Sequence, residues 1–399
     1  MKGHAMRLSL IPCALSLFLA ISCGGGGGGG SDRAAPNDSS GSVPTDPNGL
    51  PVTSPNANGS AAEASPGENA GESSPGASAL ATLPIVYLTE ELAATREVFK
   101  DFGELTIDPA LINEEGQNKS TILKIPDANL PWSAYWYPKR EDQLFNGNSS
   151  PMFKLDAYLG KFGIDKLAQA WEQSNYSPSA AEWEGLCDAW AVASVLTKEP
   201  KQKIRVLGVD FTPSDLKAIA IKYFEGYPNK IYGRRYQGSA STDGQIQDLR
   251  PEAFHKIVEE VIGKQQKPIV IDEDPGPEIW SKPIFRMSFS YTRDPDYSNA
   301  LLVKAFPWMI RQRASVSDEP TTINKDLAAP QYEYRLFYEP GTNPLKIIGG
   351  EWLGPSINFH PDMVFVPSAT TNVKQANTGV QKNNEEVRKL LVKVGMLSE

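Results

Sequence analysis

Trp183-Glu184-Gly185-Leu186-Cys187-Asp188-Ala189-Trp190-Ala191 runs on into Val192, Ala193, Ser194, Val195 and Leu196. From Ala189 onward the residues are small or apolar with no polar stripe, the pattern of a helix buried on all sides. Cys187 stands at the start of that helix. A thiol there feels the positive end of the helix macrodipole, which favours the nucleophilic thiolate. The first backbone N–H groups of a helix are also free to bind an oxyanion. The same residues equally suit a small buried side chain, since free cysteine packs as one. The rest of the chain has to decide between the two.

Cys13, Cys23 and Cys187 are the only cysteines in 399 residues. Cys13 and Cys23 fall in an N-terminal export signal, so the folded part carries one thiol and no internal disulfide. The chain is 22% charged and 40% hydrophobic with a net charge of -9. A soluble acidic composition lacks the basic footprint of a general nucleic-acid binder.

Residues 1–23 read as a bacterial lipoprotein signal. Lys2 and Arg7 precede a short apolar run from Leu8 to Ile21, and Leu19-Ala20-Ile21-Ser22-Cys23 resembles a lipobox. Cys23 is the expected lipidation site, and an outer membrane or cell surface the expected location. Residues 24–84 are mostly Gly, Ser, Pro, Ala and Asn without an aromatic residue. Such a segment buries too little apolar surface to fold. As a flexible tether it reaches roughly 40–45 Å.

Residues 85–367 are expected to form the catalytic domain, followed by a polar tail, 368–399, with a short helix near Glu385 to Val394. A helix is expected from Thr89, as its cap, to Phe102. A helical stretch from Leu155 to Trp171, broken near Gly160 to Gly163, precedes the cysteine helix. Thr212-Pro213-Ser214-Asp215 spells a helix start with a capping box. Pro251 opens a helix through Phe254, Val258 and Ile262. Strands are expected at Pro268 to Asp272, Ile284 to Tyr291, Tyr332 to Tyr338, Lys346 to Trp352 and Met363 to Val366. Helices first and antiparallel strands later imply an α+β fold.

A cysteine nucleophile needs a base, and the base an orienting group. Outside the signal only His255 and His360 are available. From His255 to the end of its helix is about 17 Å, and the strand Pro268 to Asp272 returns about 16 Å. Packed antiparallel, His255 and Asp272 finish at one level, as an imidazole–carboxylate pair would. Periodicity alone equally allows His255 to be a half-exposed helix residue paired with Glu259. His360, before a strand, is the other candidate base, or else a loop histidine bonded to local backbone. Asp272-Glu273-Asp274-Pro275-Gly276 has the start of a calcium loop but not its full ligand set. Two usable histidines and one cysteine offer no zinc spacing.

Taken together the motifs resemble the transglutaminase elicitors. The likeness rests on the cysteine stretch above, on Pro131-Trp132-Ser133 with Tyr135-Trp136, and on Ser150-Pro151 with Lys154 and Asp156. It continues through Asp215-Leu216-Lys217-Ala218, Gly233-Arg234-Arg235-Tyr236, Asp248, Pro251, Phe254 and His255. Ile271-Asp272, Glu278-Ile279-Trp280, Pro283, Gly349-Gly350-Glu351-Trp352 and His360-Pro361-Asp362 complete it. The resemblance covers roughly Pro131 to Pro367. It implies a papain-like or transglutaminase-like core, with the cysteine helix packed on an antiparallel sheet. It also implies acyl transfer from protein glutamine to a primary amine through a thioester, with Cys187, His255 and Asp272 as the catalytic residues. No cofactor is expected, with calcium at Asp272 to Gly276 as the open alternative. A cysteine peptidase, amidase or deamidase of the same fold is the nearest alternative, and a catalytically silent adhesion or recognition domain a further one. One position departs from the family: Asp188 stands where a histidine is usual, and a carboxylate there opposes thiolate formation.

Overall fold

Ala189 through Ser194 are buried on every side, as the apolar run requires. A computed structural model describes residues 93–227, 229–234, 249–273, 278–367, 380 and 384–399. The export signal with Cys23, the tether, the Thr89 cap, Arg235, Tyr236, Asp248 and Asp274 to Gly276 of the calcium-like run lie outside the described residues. The helices are α1 (Ala93–Phe102), α2 (Pro151–Leu159), α3 (Ala168–Asn175), α4 (Cys187–Leu196), α5 (Pro213–Phe224), α6 (Pro251–Ile257), α7 (Ile323–Asp326) and α8 (Asn384–Lys393). The strands are β1 (Thr106–Ile107), β2 (Ile112–Asn113), β3 (Thr121–Lys124), β4 (Ile204–Val206), β5 (Val209–Phe211), β6 (Asn229–Gly233) and β7 (Ile269–Asp272). They continue with β8 (Ser281–Arg293), β9 (Ala300–Ile310), β10 (Leu327–Ala328), β11 (Tyr332–Tyr338), β12 (Leu345–Trp352) and β13 (Met363–Pro367). Mixed helices and an antiparallel sheet make this an α+β fold. None of the described helices is long and apolar enough to cross a membrane.

Eight strands form the spine of one sheet in the order β1-β12-β11-β9-β8-β7-β13-β6, with β10 added on β9 and β2 and β3 on β8. Its central strand, β9, is absent from the sequence reading. Ala300–Ile310 contains Pro307, and proline in a run argues against an interior strand. Here β11 pairs with β9 only as far as Ala305, and β10 begins at Met309. Pro307 therefore sits in the gap between those two neighbours and pairs only with Met287 of β8, so on the open side no strand calls for its missing donor.

Cross-strand partners share a face of a sheet, which defines two rows. Tyr291, Val303, Tyr334 and Trp352 are successive partners in one. Gly233, Met363, Asp272 and Ser281 form the other. Ser281 and Tyr291 are an even number of residues apart, which would put them on one face. The register of β8 shifts between Ile284 and Arg286. A bulge reverses the alternation beyond it, so the two rows face opposite ways.

α4 lies against β8, touching β7 and β13 as well, and α5 covers its other side. A ten-residue helix is marginal by itself. It is held by packing, each large buried side chain such as that of Trp190 contributing about 1.5–3 kcal/mol. α6 packs on β11 and β12 of the Tyr334 row and is covered by α1. Gly350 permits that approach, since a Cβ there would stand 2.9 Å from Glu252 Oε2 and 3.0 Å from Pro251 Cγ. α6 continues as a wider π-helix from Val258 to Lys264. The expected break after α2 is present, as is the capping box of Thr212 and Asp215. The polar tail is more than an appendage: α8 packs on α5 and buries Val387, Leu390 and Leu391.

Candidate active site

Cys187 is delivered by a backbone pairing. Leu186 donates to the carbonyl of Trp136 at 2.7 Å, and Lys139 donates to that of Glu184 at 2.8 Å. Gly185 lies between them, where a Cβ would stand 2.8 Å from the Trp136 ring and 3.1 Å from Pro138 Cα. Only glycine lets the two chains come this close. The aromatic loop thus packs into the core, with Trp132, Tyr135 and Tyr137 buried.

The thiol of Cys187 is 3% exposed and donates to the carbonyl of Ile279 at 3.2 Å. The backbone N–H groups of Ser281 and Asp188 face the sulfur and favour its thiolate. They are outweighed. Burial, then the Asp188 and Asp272 carboxylates, push the thiol up to about 12, so near neutral pH it is protonated. The side chain of Asp188 itself is exposed.

Asp272 belongs to the same site. Its Oδ1 accepts the N–H of Trp280 at 2.8 Å, and its cross-strand partner is Ser281. One segment, Ile279-Trp280-Ser281, therefore touches the thiol with its first and third residues and the carboxylate with its second. The indole of Trp280 packs edge-on to that of Trp136 at 5.9 Å.

His255 is elsewhere. Its Nδ1 lies 2.8 Å from Tyr334 Oη and its Nε2 3.1 Å from Tyr291 Oη. The ring stacks on Phe289 at 4.1 Å. Both ring nitrogens are engaged by tyrosines of the row opposite to that of Asp272, so the expected His255–Asp272 pair is not formed. Matched helix and strand lengths fix a level along the strand but not a face of the sheet. Nor is His255 half-exposed beside Glu259: it is 2% exposed, and Glu259 pairs with Lys256. Burial pushes the imidazole down to about 3, leaving it neutral. His360 lies on the Tyr334 face too, stacked on Trp352 at 4.7 Å, with Nδ1 2.6 Å from the carbonyl of Ser356. That matches a loop histidine bonded to local backbone. Trp280 enters the sequence reading only within the motif Glu278-Ile279-Trp280, and Ser281, which with it joins the thiol to the carboxylate, does not enter it: a serine at a strand start carries no signal of its own.

A cavity of about 590 Å³ lies at the far end of α4, between Val195, Lys198, Lys267, Ile310 and Met396. Val195 is about 12 Å along the helix from Cys187, so that cavity stands apart from the thiol. A smaller one of about 220 Å³ opens beside Leu186, walled by Tyr137, Phe145, Trp171 and Tyr176. Lys222 there pairs with both Glu172 and Glu225. Among the described residues no group of His, Cys, Asp and Glu is arranged to hold a metal.

The family model of the transglutaminase elicitors matches residues 168–308, the part that carries Cys187, His255, Asp272 and Ser281. The solved structure of the GP42 transglutaminase from Phytophthora sojae is similar, with a TM-score of 0.56 and 19% identity. The match covers 76% of this chain and 98% of that one; at that identity it is a likeness of fold. No curated protein matches the chain.

Proposed function

We propose, for a chain that resembles the transglutaminase elicitors and is similar in fold to a transglutaminase, that the domain is a cysteine acyltransferase built on a papain-like core. Cys187 forms a thioester with the carboxamide of a protein glutamine, releases ammonia, and passes the acyl group to a primary amine. Asp272 is the acid–base partner, in place of the histidine expected from the sequence. The Ser281 and Asp188 N–H groups are disposed to bind the oxyanion of the tetrahedral intermediate. The observation that carries this reading is the convergence on one sulfur of a helix start, two backbone donors and a buried carboxylate. The thiol bonded to Ile279 is then a resting state, from which the 279–281 segment shifts to admit substrate.

The full chain, given a glutamine peptide and a fluorescent cadaverine, should incorporate the amine. Cys187→Ala should abolish incorporation, and Asp272→Asn should slow it on the order of 10²-fold, as loss of an acid–base group does. A second reading is favoured by Asp188 beside a thiol already raised by burial: a catalytically silent recognition domain. In that case wild type incorporates nothing, and Asp188→Asn does not restore it.

We further propose that Cys23 carries a lipid anchor which, through residues 24–84, holds the domain at a bacterial membrane surface. A single acyl chain binds only marginally, so multiple acylation is expected. Wild-type protein should partition into detergent and Cys23→Ala into the aqueous phase; equal partitioning of the two would rule the anchor out.

A further inference from the structure

Ser281 is fully buried, and its Oγ has no hydrogen-bond partner. Buried hydroxyls are nearly always bonded, and an exception calls for an explanation. The position supplies one. Ser281 and Asp272 are direct cross-strand partners, which puts their Cβ atoms about 4.5–5.5 Å apart on one face. The N–H of the same serine faces the Cys187 sulfur. A serine hydroxyl turns among three staggered positions, and it both donates and accepts. Both histidines that could have taken the thiol proton are held on the opposite face of the sheet.

We propose that the Ser281 hydroxyl relays the proton between Cys187 and Asp272. The inference takes its substrate from the acyltransferase reading. As the sulfur attacks the carboxamide carbon, the S–H proton passes to Ser281 Oγ, and the hydroxyl proton passes to the Asp272 carboxylate. The S–C bond forms and the carbonyl π pair moves to oxygen. On collapse the C–N bond breaks, and the proton held by Asp272 returns through Ser281 to the departing nitrogen. Thiol and carboxamide become thioester and ammonia, with serine and carboxylate regenerated. In the resting structure Ser281 Oγ bonds neither group, so the relay forms when the hydroxyl turns to bridge sulfur and carboxylate.

The test is the pH profile of iodoacetamide alkylation of Cys187 in the full chain. Attack assisted by the relay draws on the protonated thiol and the ionised carboxylate together, so its rate does not change with pH while both forms prevail. Wild type should therefore show a plateau in rate across roughly pH 6–8, where an isolated thiol gains tenfold per pH unit. Ser281→Ala and Asp272→Asn should both replace the plateau with that tenfold slope, and Ser281→Ala should react about tenfold more slowly at pH 6. The Ser281→Ala melting temperature should match wild type, because no hydrogen bond is lost; Ser281→Gly serves as a second hydroxyl-free variant if it does not. A plateau that survives in the hydroxyl-free variant, or its absence in wild type, overturns the relay. A relay-dependent plateau without amine incorporation upholds the relay and overturns the acyltransferase reading. Normal incorporation without a plateau does the reverse.

Discussion

His255 is where a residue's chemistry and its position part company. By type it is the obvious base; by position it is a core residue whose two nitrogens complete two buried tyrosines. His255→Phe keeps the stack on Phe289 but leaves both hydroxyls without their partner, at a cost of about 1–3 kcal/mol for each. Urea unfolding should therefore register a loss of about 2–6 kcal/mol, the sum of the two. A catalytic base would instead lose turnover with little loss of stability. Acid stability checks the same point. The folded imidazole lies at about 3, below its unfolded value of about 6.5. Its contribution is thus complete above about pH 6.5 and is lost as pH falls towards 3, by at most about 1.4 kcal/mol per pH unit. The slope of stability against pH over that window should be shallower in His255→Phe than in wild type.

At the level of elements, α1 is fastened to α6 across Glu252. That carboxylate is fully buried and accepts from Thr95 at 3.3 Å, while its second oxygen has no hydrogen-bond partner. Burial, only partly offset by Arg250, raises it to about 7. A carboxylic acid raised on folding favours the folded state below its unfolded value, near 4.3. That advantage is lost as pH rises through about 7, once the buried group must ionise. Glu252→Gln removes the charge, so it should melt higher than wild type at pH 8 and about equally at pH 4. Capping explains why some elements were legible in advance: Thr212, Pro213 and Asp215 satisfy the start of α5 with neighbours in sequence. The central strand β9 was illegible for the opposite reason. Whether Pro307 is tolerated depends on where β11 stops and β10 starts, and those segments lie far along the chain.

On the scale of the whole molecule, α8 closes the packing around α5, although the composition of residues 368–399 reads as a polar tail. Val387, Leu390, Leu391 and Met396 are all buried. At about 1.5–3 kcal/mol for each large apolar side chain, removal of residues 384–399 should lower the melting temperature sharply or prevent folding. The same truncation of a tail that did not dock would leave melting unchanged. What could be read from the sequence alone was what neighbours in the chain determine. That includes the buried helix after Cys187, the capped start of α5, the strands β11 and β12, and the family likeness carried by the ordered motifs. The tertiary structure alone decided which side chains share a face. One extra residue in β8 near Phe285 reverses the alternation, setting Ser281 and Asp272 beside the thiol and both histidines across the sheet. A period of two specifies a face only relative to its own strand. The reference between strands comes from register, and register is a property of residues far apart in the chain.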